Sequence, residues 1–224
     1  MAVGQAWRAD AGYLVTGASG EAGLSFAEQL AEAGARLVLV GDPQFPAESE
    51  WATLPAGAER ARAGRLAALR AARPDAVTYR TADLADPEQA RLLVEEARTL
   101  LGAVNGVLHC ADARGTGLVA LKSREDFEAV LGARVRSTLL LEELLASDDL
   151  DFFLSGSATT GIVGGFGQAD NCAAAAFLDA FAAAGSAEGA TPSPSTGRSG
   201  SGTTGSSCRW PGCPRSASCT SGCA

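Results

Sequence analysis

The stretch that decides the fold is YLVTGASGEAG, at Tyr13–Gly23, where an apolar run leads directly into three spaced glycines. This pattern predicts a buried strand, a tight turn and the start of a helix. Gly17 permits the turn, Gly20 lets a pyrophosphate approach the backbone, and Gly23 lets the helix pack closely on the sheet. The backbone N–H groups of such a turn bind phosphate. The alternative is a strand-to-helix turn with a structural role only.

Outward from this turn, short apolar runs alternate with helical patterns from Gly12 to about Ala184. The predicted strands are Tyr13–Thr16, Leu37–Val40, Ala76–Thr81, Gly106–Cys110 and Asp151–Ser155. The helical patterns begin near Gly20, Glu59, Asp86, Ser123 and Gly167. This alternation predicts a doubly wound α/β fold, with a parallel sheet in the order 3-2-1-4-5 and helices on both faces. The chain then divides into an extension at 1–11, a domain at 12–185 and a tail at 186–224.

Composition narrows the function classes. The chain has 224 residues, of which 46% are hydrophobic and 20% charged, as in a soluble globular protein. It has no apolar run of the roughly 18 residues that a membrane span needs and no signal-peptide pattern at the amino terminus, so we expect a cytoplasmic protein. The net charge of −8 disfavours nucleic acid as a partner.

Two acidic residues follow predicted strands and bear on the choice of cofactor. Asp42 ends the second strand, where an acidic side chain accepts from the ribose hydroxyls of NAD and repels the 2′-phosphate of NADP. This predicts NAD as the bound dinucleotide, and the alternative is an Asp in a solvated loop. Asp83 ends the third strand, where its carboxylate is placed to accept from an adenine amino group.

Several motifs resemble, in order and spacing, the ketoreductase domains of modular polyketide synthases. They are YLVTGASG, GARLVLVGD, ADLADPEQ, GVLHCAD, FEAVLGARVRSTLLLEELL and GGFGQADNCAAAAFLDAF. The resemblance covers Gly12 to Ala184 and implies a Rossmann-like fold of the short-chain dehydrogenase/reductase superfamily. It also implies NADPH-dependent reduction of a β-ketoacyl group on an acyl carrier protein, with that protein or other synthase domains as partners. Ser19 and Ala111 join the glycines as positions that the resemblance places on the cofactor.

The same resemblance identifies the positions of the catalytic residues. The family uses a Tyr as proton donor, and its motif falls without gaps on Gly167–Ala180, so the Tyr position holds Asn171. The family's Ser lies thirteen residues earlier, at Ala158, whereas Ser157 is one residue away and faces the other side of a strand. An amide has no proton to release at neutral pH.

Three further positions depart from the family pattern. The family's Lys, which lowers the pKa of the Tyr and holds the nicotinamide ribose, falls on Arg134. A guanidinium keeps the charge but not the geometry of an ammonium, and a surface Arg is the alternative. The family's Asn is Ala175, and the Gly of its HAAG turn is Asp112. His109 lies next to a strand end, and we interpret it as structural.

The tail admits three interpretations: a zinc site or disulfides built from its cysteines, a disordered segment, or out-of-frame translation. Cys208, Cys213, Cys219 and Cys223 suggest zinc, but they lack paired CxxC spacing, and a disulfide framework has no better support, so we assign no metal. The composition is that of a disordered segment. Out-of-frame translation is the third interpretation: with codons rich in G and C, Thr191–Gly200 read two bases later gives SVAVDWAVW. That run resembles the family's sixth strand, and its loss would truncate the sheet.

Three hypotheses for function follow. The first is a ketoreductase-like domain that no longer reduces ketones, because Ala158, Asn171 and Arg134 depart together from the family pattern. The second is a working reductase that uses NADH or NADPH, with Ser157 and an unrecognised acid. The third is a non-enzymatic scaffold module that docks against other synthase domains.

Overall fold

The computed structural model describes residues 7–111, 117–187 and 206–207. The strands are β1 Gly12–Thr16, β2 Arg36–Gly41, β3 Val77–Thr81, β4 Gly106–His109, β5 Phe152–Gly156 and β6 Ser206–Ser207. The helices are α1 Glu21–Glu32, α2 Ala58–Ala72, α3 Pro87–Leu101, α4 Arg124–Leu131, α5 Ser137–Leu144, α6 Thr160–Val163 and α7 Ala169–Ala187. Two 3₁₀ turns, at Glu48–Glu50 and Val119–Leu121, and a π-helical turn at Gly132–Arg136 complete the described elements.

The sheet confirms the predicted topology. Strands β1 to β5 are parallel and lie in the order β3-β2-β1-β4-β5. The boundaries of β1 to β5 each lie within one residue of the predicted ones. At the β5 edge, the two residues of β6 pair antiparallel with Ser155 and Gly156. This short antiparallel pair takes the place next to β5 where the family resemblance implies a longer sixth strand.

Helices cover both faces of the sheet, as the predicted fold class requires. In β1, Tyr13 and Val15 pack into one core with α1 and α2, whereas Leu14 between them packs into a second core with α3 and α5. Successive side chains of a strand point to opposite faces, so a strand that is apolar throughout serves two cores. This explains why polar and apolar residues do not alternate along β1.

Local signals set several helix boundaries. Asp86 caps α3 by accepting from the backbone N–H groups of Glu88 and Gln89, and the helix ends at Gly102, which has a φ of 75°. Ser123 and Asp126 form a capping box at the start of α4. These caps satisfy N–H groups that have no partner within the helix.

The carboxyl-terminal boundary is only partly described. Helix α7 continues to Ala187, two residues beyond the predicted domain end. The four tail cysteines and Thr191–Gly200 lie outside the described residues, as do Asp112 and the first six residues. The tail interpretations and the division into three segments therefore stay predictions.

Candidate functional site

The glycine-rich turn lies at the carboxyl end of β1 and requires glycine at two positions. Gly17 has a φ of +67°, and a Cβ atom there would lie 1.9 Å from the carbonyl oxygen of Cys110. A Cβ atom on Gly23 would lie 2.4 Å from the carbonyl oxygen of Gly17, so the first turn of α1 approaches the glycine turn itself. Gly20 precedes α1 as its N-cap and donates its N–H to Gly17 at 2.9 Å. Side chains at Gly17 and Gly23 would collide with these backbone oxygens, so the close packing of the turn requires glycine at both positions.

Ser19 connects this turn to the end of β2. Its hydroxyl accepts from the backbone N–H of Asp42 at 3.0 Å. The Asp42 carboxylate is exposed, and one of its oxygens accepts from the N–H of Gln44 at 2.7 Å. Asp42 is therefore held next to the glycine turn with its charge facing solvent.

The two other predicted cofactor positions lie at the same edge of the sheet. The backbone nitrogen of Ala111 lies 3.3 Å from the position of a Cβ atom on Gly17. Asp83 follows β3 and is exposed, and its carboxylate accepts from the N–H of Ala85 at 2.9 Å. The carboxylate of Asp83 thus shapes its own turn, and its contact with an adenine stays a prediction.

Arg134 and Asn171, predicted from distant motifs, lie next to each other. One guanidinium nitrogen of Arg134 donates to the side-chain oxygen of Asn171 at 3.4 Å, and another donates to the carbonyl oxygen of Gly156 at 3.3 Å. Arg134 is 7% exposed, so it is not the surface residue that was the alternative for this position. The end of β5, the π-helical turn and α7 therefore meet at one buried charge.

Ser157 directs its hydroxyl at the backbone of α7. Its side chain is buried, and its hydroxyl donates to the carbonyl oxygen of Ala175 in α7 at 3.4 Å. Ala158, the predicted Ser position, is half-buried, and its carbonyl oxygen accepts from Gly161 at the start of α6. The methyl group of Ala158 offers no hydrogen bond to a substrate.

Sequence analysis missed a buried ion pair next to Asn171. The Lys122 ammonium contacts the Asp170 carboxylate, and the two side chains are 3% and 0% exposed. The other Asp170 oxygen accepts from the backbone N–H of Asn171 at 2.9 Å. Burial by itself raises the pKa of Asp170, but the hydrogen bonds from Lys122 and Asn171 hold it below its ordinary value. No spacing in the sequence linked Lys122 to a residue 48 positions away.

His109 has the structural environment that the sequence interpretation gave it. The imidazole is 2% exposed and lies between two hydroxyls, those of Thr16 at 2.6 Å and Ser137 at 2.9 Å. Burial, and to a smaller extent the charge of Arg134, lower the pKa of His109 to about 4. The ring is therefore neutral at physiological pH.

Within 7–111, 117–187 and 206–207, no group of three or more His, Cys, Asp or Glu side chains is arranged to hold a metal ion. No helix in these same segments is both long enough and apolar enough to cross a bilayer.

Comparison with known proteins decides the family. The family model described as "KR domain" matches residues 11–194, which is more than half of the chain. The chain belongs to the ketoreductases of polyketide synthases. These enzymes form part of the short-chain dehydrogenase/reductase superfamily, as the sequence motifs implied.

The related proteins are much longer than this chain. The 6-methylsalicylic acid synthase of Aspergillus terreus is 35% identical over 179 residues, which cover 78% of this chain and 10% of that protein. Polyketide synthase PksL of Bacillus subtilis is 30% identical over 175 residues, 78% of this chain and 4% of that protein. The chain thus spans a tenth or less of these two relatives.

Solved structures show the same fold. A ketoreductase domain from the bacillaene assembly line has a TM-score of 0.65 and 33% identity, covering 79% of this chain and 40% of that one. A short-chain dehydrogenase from Burkholderia cenocepacia, solved in complex with NADP, has a TM-score of 0.63 and 23% identity, covering 79% and 67%. The second similarity shows the fold alone.

Proposed function

We propose that this ketoreductase domain binds a nicotinamide dinucleotide at the Gly17 turn but does not reduce ketones. The observation that carries the proposal is the contact between Arg134 and Asn171. The buried guanidinium of Arg134 and the end of β5 come together as a ketoreductase site requires. The side chain at the proton-donor position, Asn171, is however an amide.

The missing proton donor follows from elementary chemistry. A bound dihydronicotinamide supplies hydride to a carbonyl carbon, and the oxygen then needs a proton from the protein. The amide of Asn171 donates a hydrogen bond but does not release a proton at neutral pH. Ala158 has no donor, and the hydroxyl of Ser157 is directed at the backbone of α7. Tyr13 and Tyr79 are buried on β1 and β3 and do not replace the missing acid.

The residues of the glycine turn fit a dinucleotide. Gly17 and Gly23 let the turn and the start of α1 pack closely, where Cβ atoms would collide with backbone oxygens, and Ser19 holds the end of β2 beside them. Backbone N–H groups at the start of a helix that follows such a turn bind phosphate. The exposed carboxylate of Asp42 favours the free ribose hydroxyls of NAD over the 2′-phosphate of NADP. The related proteins' preference for NADPH, implied by the family resemblance, is therefore expected to be reversed in this chain.

The alternative of a working reductase needs Ser157 to reach the substrate. Its hydroxyl donates to the carbonyl oxygen of Ala175 inside the domain, so this alternative requires the Ser157 side chain to give up that hydrogen bond and turn toward the substrate. The geometry therefore supports the first hypothesis over the second.

Partners follow from the relatives, which are multidomain synthases. We propose that this domain lies against other polyketide synthase domains, including an acyl carrier protein, in a soluble, cytoplasmic assembly. Chemical-shift mapping of the labelled chain with a carrier protein tests this contact. Shifts confined to the loops around Asn171 would support it, and no shift at high carrier concentration would contradict it.

The experiment that tests the function combines binding and turnover on the purified chain. Calorimetric titration should show saturable binding of NADH and weaker binding of NADPH. With a β-ketoacyl thioester added, dihydronicotinamide absorbance should fall no faster than in a protein-free control. Absence of any dinucleotide binding would instead favour the non-enzymatic scaffold hypothesis, and steady turnover would favour the working reductase.

A further inference from the structure

Three buried polar side chains connect the glycine turn to the turn that carries Arg134. Thr16, His109 and Ser137 are each 2% exposed or less. Thr16 is the residue directly before Gly17, and Ser137 directly follows the π-helical turn. His109, on β4, contacts both of them.

The direction of each hydrogen bond follows from counting protons. The Ser137 hydroxyl lies 2.5 Å from the carbonyl oxygen of Ala133, which is an acceptor only, so Ser137 donates there. Its single proton is then used, so Ser137 accepts from the Nε2–H of His109. The neutral ring keeps its other nitrogen, Nδ1, unprotonated, and this atom accepts from the Thr16 hydroxyl. The Nε2–H tautomer of His109 therefore satisfies every hydrogen bond in the series from Thr16 to Ala133.

The π-helical turn is also bonded by the hydroxyls of the two residues that follow it, Ser137 and Thr138. The N–H of Ser137 reaches back five residues to Gly132, which is the π-helical pattern. The Ser137 and Thr138 hydroxyls bond the carbonyl oxygens of Ala133 and Arg134, at 2.5 and 2.6 Å. The backbone at Ala133 and Arg134 is thus bonded by two hydroxyls, and the one that belongs to Ser137 also contacts His109.

We propose that His109 is a positioning residue, fixed as the Nε2–H tautomer, that ties the Gly17 turn to the π-helical turn and so places Arg134 beside the dinucleotide. The proposal rests on the proposed function for the identity of the ligand. The hydrogen bonds of the His109 ring go to the hydroxyls of Thr16 and Ser137. Its effect on binding passes through Thr16 on one side and Ser137 on the other.

The first test is spectroscopic and needs no ligand. The chain has a single His, so the imidazole nitrogen signals of the labelled full chain belong to His109 without ambiguity. We expect a protonated Nε2 and an unprotonated Nδ1 at neutral pH. An Nδ1–H tautomer, a mixture of the two or an imidazolium would overturn the proposal.

The second test separates positioning from mere stability. His109→Leu should weaken NADH binding roughly threefold to tenfold. His109→Gln, whose amide offers an acceptor and a donor, should restore most of the affinity. Cys110→Ala serves as the control for loss of a buried side-chain atom at the residue directly after β4 and should leave affinity within twofold of the native chain. Equal affinity in all three variants, with stability alone reduced, would overturn the proposal.

Hydrogen exchange keeps this test independent of the proposed function. In His109→Leu, the amides of Gly132–Arg136 should exchange faster than in the native chain, while those of α3 stay unchanged. If the native chain binds no dinucleotide, the proposed function fails but faster exchange still supports the positioning role. Unchanged exchange across Gly132–Arg136 would overturn the positioning role whether or not a dinucleotide binds.

Discussion

The Lys122 ammonium and the Asp170 carboxylate form an ion pair that is almost completely shielded from solvent, at 3% and 0% exposure. The pair joins the segment before α4 to the first turn of α7, directly beside Asn171. Gly167, with a φ of +71°, packs its backbone near Gly117 in the same region. The candidate site is thus bordered by two segments that a buried charge pair holds together.

Breaking this pair on one side should destabilise the fold. Lys122→Met leaves a buried, uncompensated carboxylate and should cost about 3–5 kcal/mol of unfolding free energy, measured by urea denaturation. The double variant Lys122→Met/Asp170→Leu removes both charges and should recover most of that loss. A double variant as unstable as the single one would show that the pair itself contributes the stability.

The glycine turn predicts a contrast between two glycine substitutions. Gly17→Ala introduces a Cβ atom 1.9 Å from the Cys110 carbonyl oxygen at positive φ, so it should destabilise the fold by at least about 1–3 kcal/mol and abolish dinucleotide binding. Gly64→Ala is the matched control, because nothing lies within 4 Å of its Cβ atom and it is inside α2. Gly64→Ala should stabilise the chain by about 0.5–1 kcal/mol. Tolerance of Gly17→Ala would contradict the turn geometry.

His109 predicts how stability depends on pH. Folding lowers its pKa from 6.5 to about 4, so between these values the unfolded chain binds more protons than the folded chain. The contribution of the neutral imidazole is fully present above the unfolded pKa and is lost as pH falls toward the folded pKa. The native chain should lose on the order of 2 kcal/mol between about pH 7 and about pH 5. His109→Gln has no such titration, so an identical pH dependence in that variant would disprove the assignment.

Cofactor preference should depend on the charge at the end of β2. Asp42→Arg replaces a repelling carboxylate with a cation, so it should shift the ratio of NADPH to NADH affinity by roughly tenfold or more toward NADPH. Asp75→Arg makes the same charge change in an exposed loop at the amino end of β3 and should leave the ratio unchanged. Equal shifts in both variants would point to net charge rather than to Asp42.

Much of the fold was predictable because its signals are local. Apolar runs such as that of β2 and caps such as Asp86 act within a few residues, and the observed strand boundaries lie within one residue of the predicted ones. The π-helical turn at Gly132–Arg136 was not predicted. It depends on Ser137 and Thr138 bonding carbonyl oxygens in the preceding turn, and on His109 from another strand.

Residues of the candidate site were predictable only where they lie within a recognised family motif. Family motifs placed Arg134 and Asn171, and the structure brings them into contact. Lys122 was missed because its partner lies in a different motif, and burial of the pair depends on tertiary packing. The direction of Ser157 toward Ala175 likewise depends on where α7 packs, which strand alternation alone does not determine.

We propose that the chain binds a dinucleotide without reducing a ketone because Asn171, Ala158 and Arg134 depart together from the family pattern. The most direct measurement follows dihydronicotinamide consumption with a β-ketoacyl thioester, comparing the native chain with substituted chains. The native chain and Asn171→Tyr alone should stay near background, because residues that act as a unit are not additive. Asn171→Tyr, Ala158→Ser, Arg134→Lys and Asp42→Arg together, in a chain whose reading frame is corrected near codon 190, should turn over NADPH. Clear ketone reduction by the unaltered chain would contradict the account.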